Sequence, residues 1–138
     1  MSDADAVLAA NDGFYRAFES LEIDRMRGVW LASTTIACIH PGRGALLGWP
    51  AVMASWEEIF AGTIRMRFRL ADVSVHVAGD VAWVLCVEEI ESTQFDGTAR
   101  ARVQATNIFQ RRDDRWWLVL HHGGPVFDVA AIDVPSLQ

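Results

Sequence analysis

The spacing of the apolar residues changes once along the chain, near Gly62, and this change restricts the possible folds more than any other feature. Before Gly62, apolar residues such as Val7 and Phe14 recur at the spacing of amphipathic helices. After it, residues such as Met66 and Phe68 alternate with arginines, which is typical of strands with one buried face. Helices followed by long strands predict an α+β fold, in which three N-terminal helices pack on a curved antiparallel sheet.

Capping and turn residues divide this pattern into separate elements. Asp24 is a favourable N-cap for a second helix, Pro50 suits the first turn of a third helix, and Gly62 is a natural end for it. Turns rich in glycine and aspartate separate the segments that follow. The strands are predicted over residues 35–39, 65–77, 81–90, 98–110 and 116–122.

The length of the chain, 138 residues, is that of one ordinary domain with a hydrophobic core. Because no repeat or linker interrupts it, we expect a single domain over 1–138, with its core in 1–125 and a C-terminal tail in 126–138. Cys38 and Cys86 each lie in an apolar run, which is typical of buried free thiols in a reducing compartment. The acidic N-terminal segment and the lack of a long apolar stretch predict a cytoplasmic protein with no membrane partner.

The charge of the chain argues against nucleic acid as a partner. Its formal net charge is −6, so its overall field repels phosphate groups and anionic membrane surfaces. All 12 basic residues are arginines, which excludes Schiff-base chemistry on a lysine. The sequence also contains no GxSxG, HExxH or GK[ST] motif, so we expect no metal and no cofactor. Acid–base chemistry and ligand binding are the two classes of function that these exclusions leave.

Strand alternation places two polar residues on the predicted core face. Asn107 shares its side of the strand with small and apolar residues, and Glu88 follows Cys86 in the same way. Small side chains beside a carboxylate suggest space for a ligand, and a buried carboxylate needs a donor or stays protonated. The alternative is that Glu88 and Glu89 form ion pairs with arginines of a neighbouring strand.

His40, His121 and His122 are candidates for different roles in the site. His40 follows an apolar strand and precedes a glycine-rich loop, where a partly desolvated imidazole can act as a base near neutral pH, or can simply order the loop through a hydrogen bond. His121 and His122 are adjacent in a strand, so they point to opposite faces and cannot bind one metal together. Alternation from Trp116 and Leu118 predicts that His122 faces the pocket, although the reverse assignment and a purely structural role stay open.

Several motifs, in order along the chain, resemble one known family. The short strand ending in IHPG, the helix with SW, and the segments AGDVAWVLCVEE, QATNIFQRRDDRWW and LHHGGP resemble SnoaL-like domains of the nuclear transport factor 2-like superfamily, which also contains ketosteroid isomerase and the CaM kinase II association domain. The resemblance covers nearly the whole chain. It implies a cone-shaped, cystatin-like roll with a pocket between the sheet and the helices, and a homodimer built on the outer face of the sheet.

The resemblance also implies roles for two residues. His40 lies where the isomerases have their general-base aspartate, and Tyr15 lies near the position of their oxyanion-binding tyrosine. The second acid of that oxyanion site has no counterpart, because the matching strand offers Gln104, Thr106 and Asn107. We therefore do not expect steroid isomerisation.

Two hypotheses for function follow. The first is acid–base chemistry of the isomerase or hydrolase type on a small, apolar, carbonyl-bearing ligand, and the alternative is a non-catalytic ligand-binding or oligomerisation module. A pocket filled by side chains would favour the alternative. A homodimer is also expected because both faces of 81–87 are apolar and Trp117 lies on the outer face. The candidate catalytic residues are His40, Glu88, Asn107 and His122, and the candidate ligand contacts are Tyr15, Trp56 and Phe18.

Overall fold

The computed structural model describes residues 1–127, in which the chain forms three helices and six strands. The tail predicted over 126–138 lies, from residue 128 on, outside the described residues. The helices are α1 (Asp3–Ser20), α2 (Ile23–Arg27) and α3 (Trp49–Ala61). The strands are β1 (Ala37–Ile39), β2 (Leu46–Leu47), β3 (Arg65–Ala78), β4 (Val81–Gln94), β5 (Gly97–Arg112) and β6 (Arg115–Pro125).

The six strands form one curved sheet in the order β2-β1-β6-β5-β4-β3. Its four long strands pair antiparallel, as the sequence predicts. The short β1 pairs in parallel with β6, and β2 lies in the segment that we expected to be a loop. A strand of two or three residues is too short to show its pairing direction or its existence through alternation.

Local signals explain where the helices begin and end. Ser2 caps α1 through a capping box with Asp5, and Pro50 occupies the first turn of α3, which ends at Gly62. The second helix begins at Ile23, one residue before the predicted N-cap Asp24, and has no side-chain cap. Within the described residues, the helices are too short or too polar to cross a membrane.

The core lies between the helices and the inner face of the sheet. Phe14 and Phe18 of α1 pack against Trp56 and Phe60 of α3, with the rings of Phe18 and Trp56 4.7 Å apart. Truncating an aromatic side chain of this kind to alanine costs about 3–5 kcal/mol of stability. This aromatic wall joins α1 to α3, and the ring of Phe18 also lies 4.6 Å from that of Phe68 on β3, which packs α1 against the sheet.

Two β-bulges interrupt the long strands. One lies at Asp72 of β3, which has a left-handed backbone (φ 51°), and the other lies in β6, where Leu118 and Leu120 pair with the consecutive residues Phe109 and Ile108. The extra residue in β6, Val119, shifts the alternation of the rest of the strand by one position.

Candidate functional site

Five polar side chains meet inside the core, between α1 and the inner face of the sheet, and are at most 3% exposed. We call them the polar cluster: Asn11, Tyr15, Glu88, Asn107 and His121. The Tyr15 hydroxyl donates to Glu88 Oε2 at 2.5 Å, and Asn107 Nδ2 donates to Tyr15 Oη at 3.1 Å and to Asn11 Oδ1 at 2.9 Å. Asn107 Oδ1 lies 2.6 Å from His121 Nδ1. The cluster is therefore one connected hydrogen-bond network.

The sequence brings these groups together in a simple way. Asn11 and Tyr15 are four residues apart on the buried side of α1, so they project towards the same region of the sheet. Glu88 lies on the inner face of β4 and Asn107 on the inner face of β5, which confirms both orientations predicted from alternation. The adjacent strands β5 and β6 place Asn107 and His121 directly opposite each other.

Glu88 is the acidic group of the network. Burial raises its pKa to about 7, and the hydrogen bond from Tyr15 only partly offsets this effect. Burial and the neighbouring Glu88 raise the pKa of Tyr15 well above its ordinary value, so its hydroxyl keeps its proton. The alternative of an ion pair with arginine applies to Glu89, whose Oε2 lies 3.9 Å from Arg69, and not to Glu88.

The prediction that His122 faces the pocket is wrong, and the reverse assignment holds. His121 is buried in the polar cluster, whereas His122 is exposed. The bulge at Val119 is the physical reason: Leu118 points inward, but the extra residue makes Leu120 point outward and His121 inward. Alternation counted from Leu118 without the bulge places His122 inside and His121 outside.

The hydrogen bonds also determine the tautomer of His121. Because Asn107 uses its Nδ2 group to donate to Asn11 and Tyr15, its oxygen must accept from His121, and Nδ1 of His121 must carry the proton. Burial, followed by the nearby His40 and His122, lowers the pKa of His121 to about 3. The ring is therefore neutral at physiological pH, with an unprotonated Nε2.

His40 is more deeply buried than the partly desolvated position that we expected. It is 5% exposed, its ring lies 4.9 Å from that of Trp56, and its Nε2 lies 2.9 Å from Ser55 Oγ. Since the Ser55 hydroxyl donates to the carbonyl of Val52, it accepts from His40, which fixes the proton on Nε2. Burial and the charge of Arg43 lower the pKa of His40 to about 4. This geometry matches the loop-ordering alternative, because it ties the end of β1 to α3.

Of the three predicted ligand contacts, Tyr15 belongs to the polar cluster, whereas Trp56 and Phe18 lie beside it. Trp56 contacts Phe18 and lies between His40 and His121, with ring distances of 4.9 and 6.2 Å to the two imidazoles. Its indole Nε1 is buried and has no hydrogen-bond partner among residues 1–127, as is also true of Trp30 Nε1. A buried donor of this kind costs about 1–3 kcal/mol when it is left unpaired.

Two open cavities lie outside the polar cluster. One, of about 1180 Å³, lies on the outer face of the sheet, and the other, of about 380 Å³, lies beside α1 and includes Trp116 in its lining. The lining of neither includes a residue of the polar cluster. In this conformation a ligand reaches Glu88 only if core side chains move.

Sequence reasoning missed two residues of this region, Asn11 and Ser55, and preferred the outer face for a third, His121. Asn11 gave a usable signal, because it is a polar residue within the apolar stripe of α1. Ser55 gave none, since a small polar residue in a helix has no distinctive pattern. The preference for His122 over His121 arose because the bulge is not visible in the sequence.

Helices packed on a curved sheet, with a polar cluster between the two layers, define this chain as a protein of the nuclear transport factor 2-like fold. The model of the SnoaL-like domain matches residues 7–128, and the chain belongs to that family. The family and the fold expected from the sequence are thereby confirmed.

Three proteins with different names are similar to this chain. A candidate dehydratase of the NTF2-like family from Streptomyces avermitilis is 36% identical, with 91% of this chain and 97% of that chain covered and a TM-score of 0.86. A candidate calcium/calmodulin-dependent protein kinase type II association domain from Thiobacillus denitrificans is also 36% identical, with 86% and 94% covered and a TM-score of 0.76. The F-box protein SKIP8 of Arabidopsis thaliana is 26% identical over 117 residues, which are 85% of this chain and 48% of that protein.

The chain thus spans about half the length of the curated relative that it matches. The two solved structures are equally identical to it, yet one is named as an enzyme and the other as an association domain. The comparisons therefore establish the family and leave the activity to be argued from the site.

Proposed function

We propose that the chain binds a small, mostly apolar carbonyl compound between α1 and the inner face of the sheet, and that Glu88 acts there as a general acid. The observation that supports this most is the Tyr15–Glu88 pair. It combines a buried 2.5 Å hydrogen bond with a carboxyl pKa of about 7. A proton donor is most effective when its pKa lies near the pH at which it works.

The chemistry follows from the two hydroxyl donors. Because burial raises the pKa of Glu88 to about 7, its carboxyl can carry a proton near neutral pH, and Tyr15 keeps its own. A carbonyl oxygen inserted between them would accept from both O–H groups and replace their mutual hydrogen bond, which stabilises negative charge developing on that oxygen. Asn107 donates to Tyr15 Oη and so orients the hydroxyl. The name of the Streptomyces avermitilis relative, a candidate dehydratase, fits a site with a proton donor.

His40 and His122 have no direct part in this proposal. His40 donates its Nε2 proton to Ser55, and its lowered pKa makes it a weak base. His122 lies on the outer face of the sheet. We assign to His40 the positioning of the loop after β1, and to Trp56 an N–H group that can donate to the ligand.

The test is binding of a mixed set of small ketones and aldehydes, followed by protein NMR or by soaking of crystals. We expect signals or density beside Tyr15 and Glu88, and an affinity at least about tenfold weaker in Tyr15→Phe, which loses a donor to the carbonyl. Glu88→Gln should still bind the compound, because its amide N–H can donate to the carbonyl, but it has no proton to transfer. Glu91→Gln, on the opposite face of β4, is the matched control and should bind as wild type does. Binding elsewhere, or equal affinity in all variants, would contradict the proposal.

A second candidate is a non-catalytic oligomerisation module, and the filled core supports it. The outer face of β4 exposes Val81, Trp83 and Leu85 at 41%, 36% and 40%. A monomer would leave this apolar row in water, whereas a homodimer through the outer face would bury it. The Thiobacillus denitrificans relative is named as an association domain, which favours the same role.

Light scattering tests the homodimer. We expect a mass near twice 15.3 kDa at micromolar concentration, and a monomer for Leu85→Glu, because a buried unpaired charge in the interface is strongly unfavourable. Glu91→Gln again serves as the control. A wild-type monomer under these conditions would eliminate the dimer. We also place the protein in a reducing cytoplasm, which suits the two free, buried thiols of Cys38 and Cys86.

A further inference from the structure

The outer face of the sheet has an ordered array of charges at one end of its long strands. Strand pairing arranges six residues in two rows, each with a glutamate between two arginines. The first row is Arg67, Glu91 and Arg100, and the second is Arg69, Glu89 and Arg102. We call this set the charged array.

The charged array has more arginines than its glutamates can neutralise. Glu89 lies 3.9 Å from Arg69, and Glu91 lies 3.3 Å from Arg100. Arg67 and Arg102 have no ion pair within 4 Å among the described residues. The array is therefore locally positive on a chain whose formal net charge is −6. An excess of one sign that is opposite to the overall charge selects an oppositely charged partner.

The same residues line the larger cavity, an open groove of about 1180 Å³ that also includes Val126 and Phe127. This volume is larger than a single small anion needs. In an extended peptide, side chains on one face repeat every two residues, about 7 Å apart. Arg67 and Arg69 repeat along β3 at the same interval, as Arg100 and Arg102 do along β5. An extended segment with acidic residues at alternate positions therefore matches the groove in both spacing and charge.

A second copy of this chain is a poorer occupant. When two sheets pack face to face in an aligned dimer, a twofold axis centred on the charged array places arginine columns over arginine columns and glutamates over glutamates. Like charges directly opposite each other are unfavourable. The array therefore disfavours self-association at this end of the sheet.

We propose that the charged array is a docking site for an extended, acidic segment of another protein, with carboxylates at alternate positions. The proposal depends on the strand register, the unpaired arginines and the groove. It does not depend on chemistry in the polar cluster.

The test uses a fluorescein-labelled peptide of alternating glutamate and valine, with binding followed by fluorescence anisotropy at low salt. We expect the double variant Arg67→Ala/Arg102→Ala to bind about tenfold more weakly than wild type, and we expect wild-type binding to weaken as salt rises. Arg16→Ala/Arg112→Ala removes the same charge outside the groove and should leave affinity unchanged. Glu89→Gln/Glu91→Gln should bind the peptide more tightly, which keeps the test decisive if the arginine variant misfolds.

Several results would overturn the proposal. These are no binding of the peptide, equal losses in the two arginine double variants, or equal affinity for a peptide of the same composition with its glutamates in one block. Competition by inorganic phosphate or by an RNA oligonucleotide at the same charge concentration as the peptide would also overturn it, because such competition indicates unspecific anion binding.

Discussion

Replacing Glu88 by glutamine should remove a specific pH dependence of stability. Burial raises the pKa of Glu88 from 4.5 to about 7 in the folded protein, whereas the unfolded chain restores the ordinary value. Between these values the folded state binds the proton more tightly, so the stabilising contribution is full below pH 4.5 and is lost as the pH rises through about 7. At about 1.36 kcal/mol per unit of pKa difference, the loss is roughly 3 kcal/mol.

Two buried histidines make stability depend on pH in the opposite direction. Burial lowers the pKa of His40 from 6.5 to about 4, and that of His121 from 6.5 to about 3. Their contribution is present above pH 6.5 and is lost as the pH falls through these lower values. Below pH 6.5, the pH dependence of the wild-type unfolding free energy is therefore the sum of opposing contributions from Glu88 and the two histidines. The difference between wild type and Glu88→Gln at each pH cancels the histidines and isolates Glu88.

The assay is urea unfolding followed by tryptophan fluorescence, at one fixed protein concentration because an oligomer would make stability depend on it. Between about pH 5 and pH 8, the unfolding free energy of wild type should fall by roughly 2 to 3 kcal/mol relative to Glu88→Gln. Glutamine keeps an oxygen that accepts from Tyr15, and Glu91→Gln controls for the loss of one carboxylate. A difference that is the same at every pH would refute the reasoning that burial perturbs Glu88.

Two further substitutions and one deletion test the surroundings of the site. His40→Ala removes a buried ring and its hydrogen bond to α3, so we expect urea unfolding to show a loss of roughly 2 to 4 kcal/mol, and a loss below about 1 kcal/mol would contradict the loop-ordering role. Trp56→Phe should weaken binding of the carbonyl compounds severalfold in calorimetry, whereas Trp30→Phe, which removes the other unpaired indole N–H, should not. Deleting Val119 should restore a regular strand and leave His121 buried opposite Asn107. NMR titration of the His121 ring measures this, and an ordinary pKa for His121 in the deletion variant would contradict the prediction.

The fold and the orientation of two site residues could be predicted because they depend on regular periodicity. Glu88 and Asn107 lie in stretches of β4 and β5 where every residue has its expected partner, so alternation alone gives the correct face. The hydrogen-bond partners could not be predicted in this way. Tyr15 and Glu88 are 73 residues apart, and their contact depends on how closely α1 packs on the sheet. That packing includes the contact of Phe18 with Phe68 of β3, which no local pattern predicts.

A single extra residue in β6 lets both Leu118 and the histidine that completes the polar cluster face the core. The oxygen of Asn107 is left without a donor unless an inward side chain on β6 supplies one, since its Nδ2 group already serves Asn11 and Tyr15. His121 supplies that donor because it lies directly opposite Asn107. A buried amide oxygen without a partner would cost about 1–3 kcal/mol. The bulge therefore does more than bend the strand: because Val119 is extra, Leu118 and His121 can both face the core, and His121 fixes the orientation of the amide that in turn orients Tyr15 towards Glu88.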